Sequence, residues 1–155
     1  MIAAVRPTNW NWLLLAHLGF AFALVAGVIT VVLTSLAAGR SGGPEQVPLL
    51  RAIAFRTNLV VVLPGFIGVH VLGDLLSNRE YDGHEPDWLS IAFGLTDISL
   101  IVGGVLLTLL QFWVLRRARA GQLGGWPARI ATYLPAVVLA ALAAVIVLMA
   151  GKPVG

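Results

Sequence analysis

Residues 59–76 read LVVVLPGFIGVHVLGDLL, and the fold turns on how that stretch is taken. It is about eighteen residues long and almost wholly apolar, enough to cross a hydrocarbon layer of about 30 Å. Three residues break its apolar character: Pro64, His70 and Asp74. Pro64 donates no backbone hydrogen bond and frees the carbonyl of Val60, and Gly65 stands beside it, so a kink near mid-membrane is expected. His70 and Asp74 are four residues apart and share a helix face. Ionisable groups are costly inside a bilayer, so those present are expected to face a partner, a cavity or a cofactor.

The rest of the chain agrees with a membrane reading. Of its 155 residues 59% are hydrophobic and 11% charged, with a mean hydropathy of +0.92. Water-soluble domains carry roughly a quarter charged residues. No cysteine is present, which excludes disulfides, thiolate metal sites and iron–sulfur clusters. The net charge of +3 does not point to nucleic acid, because the arginines sit at the ends of apolar segments.

Four helices are expected, over about 10–36, 49–77, 88–115 and 128–149, forming one all-α domain, an antiparallel four-transmembrane-helix bundle. The first is too long for a signal-peptide core and lacks a small-residue cleavage site. Trp10, Trp12, Trp126 and Tyr133 read as interfacial belt residues. AAGRSGGPEQVP (37–48) is a Gly/Pro loop and NREYDGHEPD (78–87) an acidic one, with an Asp82-Gly83 turn and Asp87 as N-cap. Loops one and three hold seven basic residues, Arg40, Arg51, Arg56, Arg116, Arg117, Arg119 and Arg129, against three on the other side, Arg6, Arg79 and Lys152. That bias places loops one and three in the cytoplasm and both termini outside.

Depth estimates bring a second pattern out. His17 lies seven residues inside Trp10 and His70 seven inside Ser77, each roughly 10 Å from the same surface, and Asp97 lies roughly 13 Å in from Trp88. Two imidazoles and a carboxylate therefore share one layer, with Asp74 shallower. Interhelical hydrogen-bonding glue ranks first as their role on general grounds. A haem b held by His17 and His70 comes next, with Gly19, Gly65, Gly68 and Gly73 making room for the macrocycle and Arg79 or Arg6 meeting its propionates. A small metal site of His17, His70 and Asp97 (copper or zinc), with Asp74 orienting His70, and a proton or ion path through the same three residues are further alternatives. Asp82, His84, Glu85 and Asp87 form a weaker candidate for a divalent cation. Arg56 and Asn58 are expected to pair with Gln111, and Gly103-Gly104, Gly65-x-x-Gly68 and the Ala-rich fourth helix to allow close packing.

Several short motifs carry a resemblance. His17-Leu18-Gly19, Arg56, Pro64-Gly65, Trp88-Leu89 and Gln111, spread over roughly residues 12–120, resemble the pattern of a set of uncharacterised bacterial four-helix integral membrane proteins. More distantly, the early helical histidine is similar to that of copper-resistance membrane proteins and of the haem-linked protoporphyrinogen oxidase family. Those relatives imply copper or haem at His17; His70 lies outside the shared pattern. Taken together, the expectation is a non-catalytic accessory subunit of a bacterial cytoplasmic-membrane complex, in contact with lipid and with other subunits or a second copy of itself. A redox or metal protein using His17 and His70 is the alternative.

Overall fold

The computed structural model describes residues 8–41, 43–81 and 87–150. Arg6, Lys152, Asp82, His84 and Glu85, and with them the Asp82-Gly83 turn, lie outside the described residues, as does the side chain of Trp10. Four helices fill the rest. Helix one is Thr8–Arg40. Helix two, residues 46–81, is α-helical over Gln46–Thr57 and Leu63–Tyr81 with a π-helical turn, Asn58–Val62, between them. Helix three, 87–119, repeats that design with a π-helical stretch, Leu100–Leu106, between Asp87–Ser99 and Leu107–Arg119. Helix four is Trp126–Ala150. All four contain segments long and apolar enough to cross a membrane. Each extends about one turn beyond its apolar stretch at one end or both, because helical hydrogen bonding continues through the polar interface. Asp87 falls in the first turn of helix three.

Helix one packs on helices two and four, and helix three on the same two. Among the described residues the backbones across the two diagonals do not meet. Helices one and two are antiparallel: Gly27 lies against Val61 and Val62, Leu24 against Gly65, and His17 against Gly73. The result is an up-and-down bundle closed by helix one on helix four. Its interior is Leu24, Val28, Val31, Val62, Phe66, Leu107, Val138 and Leu142, while Phe22, Val60 and Val147 face outward. In a bilayer that outward apolar surface is the lipid contact.

The break expected at Pro64 appears as the π-helical turn before it. Leu63 N–H donates to the carbonyl of Asn58, five residues back. The widened turn admits one extra residue, so the proline ring does not need to fit a regular α-turn against Val60. Helix three widens where Gly103 and Gly104 fall, and no proline is involved. Both glycines are close-approach positions as expected: a Cβ on Gly103 would lie 2.6 Å from Val138 Cγ1, and one on Gly104 would lie 3.1 Å from Leu63 Cδ1. Helix three ends in a Schellman motif, with Gly121 at φ +79° and the Gln122 N–H donating to the Arg117 carbonyl. Gly125, at φ +106°, turns the chain into helix four.

Candidate functional site

Polar groups along the apolar helices form two sets at different depths. The first is the layer of His17, His70 and Asp97. His70 Nδ1 approaches Asp97 Oδ1 at 3.1 Å, a close polar contact that is not aligned as a full hydrogen bond. The pair sits on the outer surface of helices two and three, with side chains 35% and 52% exposed. Phe93 packs edge-on against the His70 ring, 5.8 Å between centroids. Asp74, expected beside His70, is exposed, and Arg79 is exposed one turn further on.

His17 belongs to a different environment. Its ring reaches the backbone of Val69 on helix two, without the alignment of a full hydrogen bond. A Cβ on Gly73 would come 3.4 Å from its Cε1 and 3.5 Å from Phe93 Cε1. His17 lines a cavity of about 210 Å³ with Gly73, Phe93, Ser77 and Trp88; His70 does not line it. The structure thus brings His70 to Asp97, and leaves His17 on the far side of Phe93's packing. Among the described residues no group of three His, Asp or Glu side chains forms a metal-holding cluster.

A haem between the two histidines does not fit this arrangement. The glycines expected to leave a flat slot instead receive side chains of helix one. Leu24 packs on Gly65, the Phe20 ring on Gly68 and the His17 ring on Gly73, while Gly19 has open space above it. The imidazoles therefore share a depth but not a cavity.

The second set lies toward the end of the bundle that carries the arginine-rich loops. Asn58 is 1% exposed and donates from Nδ2 to the carbonyls of Gly103 (3.1 Å) and Gly104 (3.3 Å) and to Thr108 Oγ1 (2.7 Å). Thr108 Oγ1 in turn donates to the Gly104 carbonyl. The absent Cβ atoms let the Asn58 amide reach the widened turn of helix three. Asn58 therefore pairs with Thr108 and the two glycines rather than with Gln111, while Arg56 is exposed. Gln111 is 0% exposed, and neither of its amide atoms has a partner.

The position of Arg51 in the sequence suggests an interfacial charge, and here the structure corrects the reading. It is 2% exposed. Its Nη2 donates to the Ala128 carbonyl (3.1 Å) and to Thr132 Oγ1 (2.8 Å), bridging the diagonal between helices two and four. Phe55 packs on Phe112 and Asn58 bonds Thr108, so Gln111 lies between Asn58 and Arg51 in depth. The register of Gly27 on Val62 carried eight residues along places Ser35, buried and without a partner at Oγ, opposite Ala54. Arg51, Ser35, Gln111 and Asn58 thus form a polar column roughly 10 Å long. A hint is present in the sequence: residues 51, 54 and 58 share one helix face with 62.

Comparison of the chain with family models, with curated proteins and with solved structures finds no match in any of the three.

Proposed function

We propose that this multi-pass membrane protein is a non-catalytic accessory subunit of a larger assembly in a bacterial cytoplasmic membrane, with the arginine-rich end in the cytoplasm. The observation that carries the reading is the exposed His70–Asp97 pair. Asp97 stands ten residues into helix three, roughly 15 Å along it, so its half-exposed carboxylate faces the hydrocarbon region. An acidic group facing lipid costs about 2.5–3.5 kcal/mol at the bilayer centre on insertion scales, and less at the shallower depth of Asp97. A transmembrane helix of another subunit, offering a hydrogen-bond donor at that depth, relieves this cost and gives the contact its register. Ile91, Ile98 and Ile101 are exposed on the same helix and supply apolar area around the pair. The bias of arginines to one end supports the orientation, and the resemblance to four-helix bacterial membrane proteins supports the class.

A photoreactive residue in place of Ile98, in cells expressing the full chain, tests the reading. A discrete adduct with another membrane protein, lost in Asp97→Leu, is expected. Labelling of lipid alone would retire the subunit reading. An oxidised and dithionite-reduced absorption spectrum gives an independent check. Haem bands lost in both His17→Ala and His70→Ala would replace the subunit reading with a redox one.

A further inference from the structure

At the arginine-rich end, helices one, two and four enclose a cavity of about 340 Å³, within the size range of small-ligand sites. Its wall includes Arg51, Arg129, Thr132, Tyr133 and Ser41, and no acidic side chain. A guanidinium has five N–H donors. The two on Nη2 are taken by Ala128 and Thr132, and Nε and Nη1 are buried without partners, which leaves three. Among the described residues no carboxylate pairs with Arg51. A buried cation in this state lacks both charge compensation and hydrogen-bond saturation, each of which a bound anion supplies.

Two further features carry the same sign. The first turn of helix four borders the cavity at Ala128 and Arg129, and the amino end of a helix of 25 residues presents partial positive charge there, although Pro127 has no N–H and the Arg129 N–H is bonded to the Gly125 carbonyl. Arg129 is exposed at the mouth. The mouth also lies at a telling depth. The membrane-spanning part of helix two is 35 residues, roughly 52 Å, longer than the hydrocarbon core and at least as long as the whole bilayer of about 40–45 Å. Arg51, five residues into that helix, therefore sits near the headgroup layer, where phosphates are dense.

We propose that this cavity binds a phosphate group, held by Arg51 from within, by Arg129 at the rim and by the amino end of helix four. Two sources share that chemistry: the headgroup of an anionic phospholipid and a soluble phosphate. Chains of a lipid would run over the neighbouring apolar helix faces, whereas a soluble phosphate would enter from the aqueous side past Gly124 and Gly125.

The test uses the full chain, purified and delipidated in a neutral detergent. Thermal unfolding is followed while inorganic phosphate, phosphatidylglycerol or phosphatidylcholine is added at matched ionic strength. A rise in midpoint with phosphatidylglycerol but not phosphatidylcholine identifies a lipid site, and a saturable rise with inorganic phosphate identifies a soluble one. Arg51→Gln keeps a polar, hydrogen-bonding side chain, two bonds shorter, but removes the charge; it should weaken either effect at least about tenfold, the scale of one charge-assisted hydrogen bond. Should Arg51→Gln fail to fold, Arg129→Gln at the exposed rim decides, with an expected loss of about threefold. Arg79→Gln, at the opposite end, should bind as the parent does. No response to any of the three additions, or a response that Arg51→Gln and Arg129→Gln leave intact, overturns the proposal.

Discussion

The layer of His17, His70 and Asp97 and the column of Arg51, Ser35, Gln111 and Asn58 are both built from polar side chains within membrane-spanning helices, but they differ in burial. In the layer, the His70–Asp97 pair reaches the surface. In the column, all four side chains are buried to 2% exposure or less. Helix geometry explains the difference. At the column two π-helical turns face each other, and Gly103 and Gly104 open a carbonyl face to Asn58. At the layer the rings of Phe20, His17 and Phe93 occupy what glycines leave, and the His70–Asp97 pair lies outward of them. Polar groups enclosed in this way fix how the helices pack, whereas those on the rim are free to serve contacts with something else.

If the column is where packing is fixed, the most damaging change is the one that overpacks the widened turn of helix three where it meets helix four. Gly103→Ala places a methyl 2.6 Å from Val138 Cγ1 and 3.0 Å from its Cγ2, and a β-branched valine has little rotamer freedom to retreat. A loss of about 3 kcal/mol is expected, at the upper end of overpacking effects, read by reversible unfolding in mixed micelles. Asn58→Leu comes next, at about 2 kcal/mol. It keeps the branched shape but leaves the Gly103 carbonyl without its side-chain donor in a low-dielectric interior. An Asn58→Leu protein as stable as the parent would mean that the column is incidental to packing.

Arg51→Met should act in the opposite direction. Replacing an uncompensated buried charge by an apolar side chain of similar length is often neutral or stabilising. The expected result is a gain of about 1 kcal/mol in lipid-free detergent, together with loss of the phosphate response. Such a separation of stability from binding would mark Arg51 as retained for a ligand, in the way that functional sites cost stability elsewhere. A loss of stability in lipid-free detergent would instead mean that its bonds to Ala128 and Thr132 outweigh the cost of burying its charge.

Much of the fold is legible in the sequence, and less of the site. Apolar runs of sufficient length define the four helices, and Gly121 and Gly125 in the 120–125 loop are glycines that the turn demands. Pro64-Gly65 marks the break in helix two, but the form of the break is not readable. A π-turn inserts a residue and rotates everything after it by roughly 100° relative to a regular helix. Depth survives that rotation, and facing does not. His17 and His70 accordingly lie at one level, yet His70 turns to Phe93 and Asp97 on helix three while His17 stays against helix two at Val69 and Gly73. The burial of Arg51 escapes sequence reading for another reason. A charge near a helix end satisfies the positive-inside pattern whether or not it is buried, and its burial and its bonds across the bundle to Ala128 and Thr132 separate the two cases.

The smallest expected effect on the bundle is in the layer, and it is the one that most sharpens the contrast. Asp97→Leu removes a side chain that is 52% exposed and whose close partner, His70, is itself 35% exposed. Exposed ion pairs contribute about 0–1 kcal/mol, and leucine is more favourable than aspartate on a lipid-facing surface. The half-exposed side chain meets much the same surroundings in the unfolded chain, so chiefly the weak pair is lost and unfolding of the isolated protein should change by less than about 1 kcal/mol. The same substitution should abolish the adduct formed from position 98, because the carboxylate's value lies in a contact that the isolated chain does not make. A large loss of stability with the adduct retained would reverse the assignment: the pair would then be interhelical glue between helices two and three, and the assembly surface would have to be sought on another face of the bundle. The outward alanines of helix four, Ala136, Ala140, Ala143 and Ala144, are the face to probe in that case.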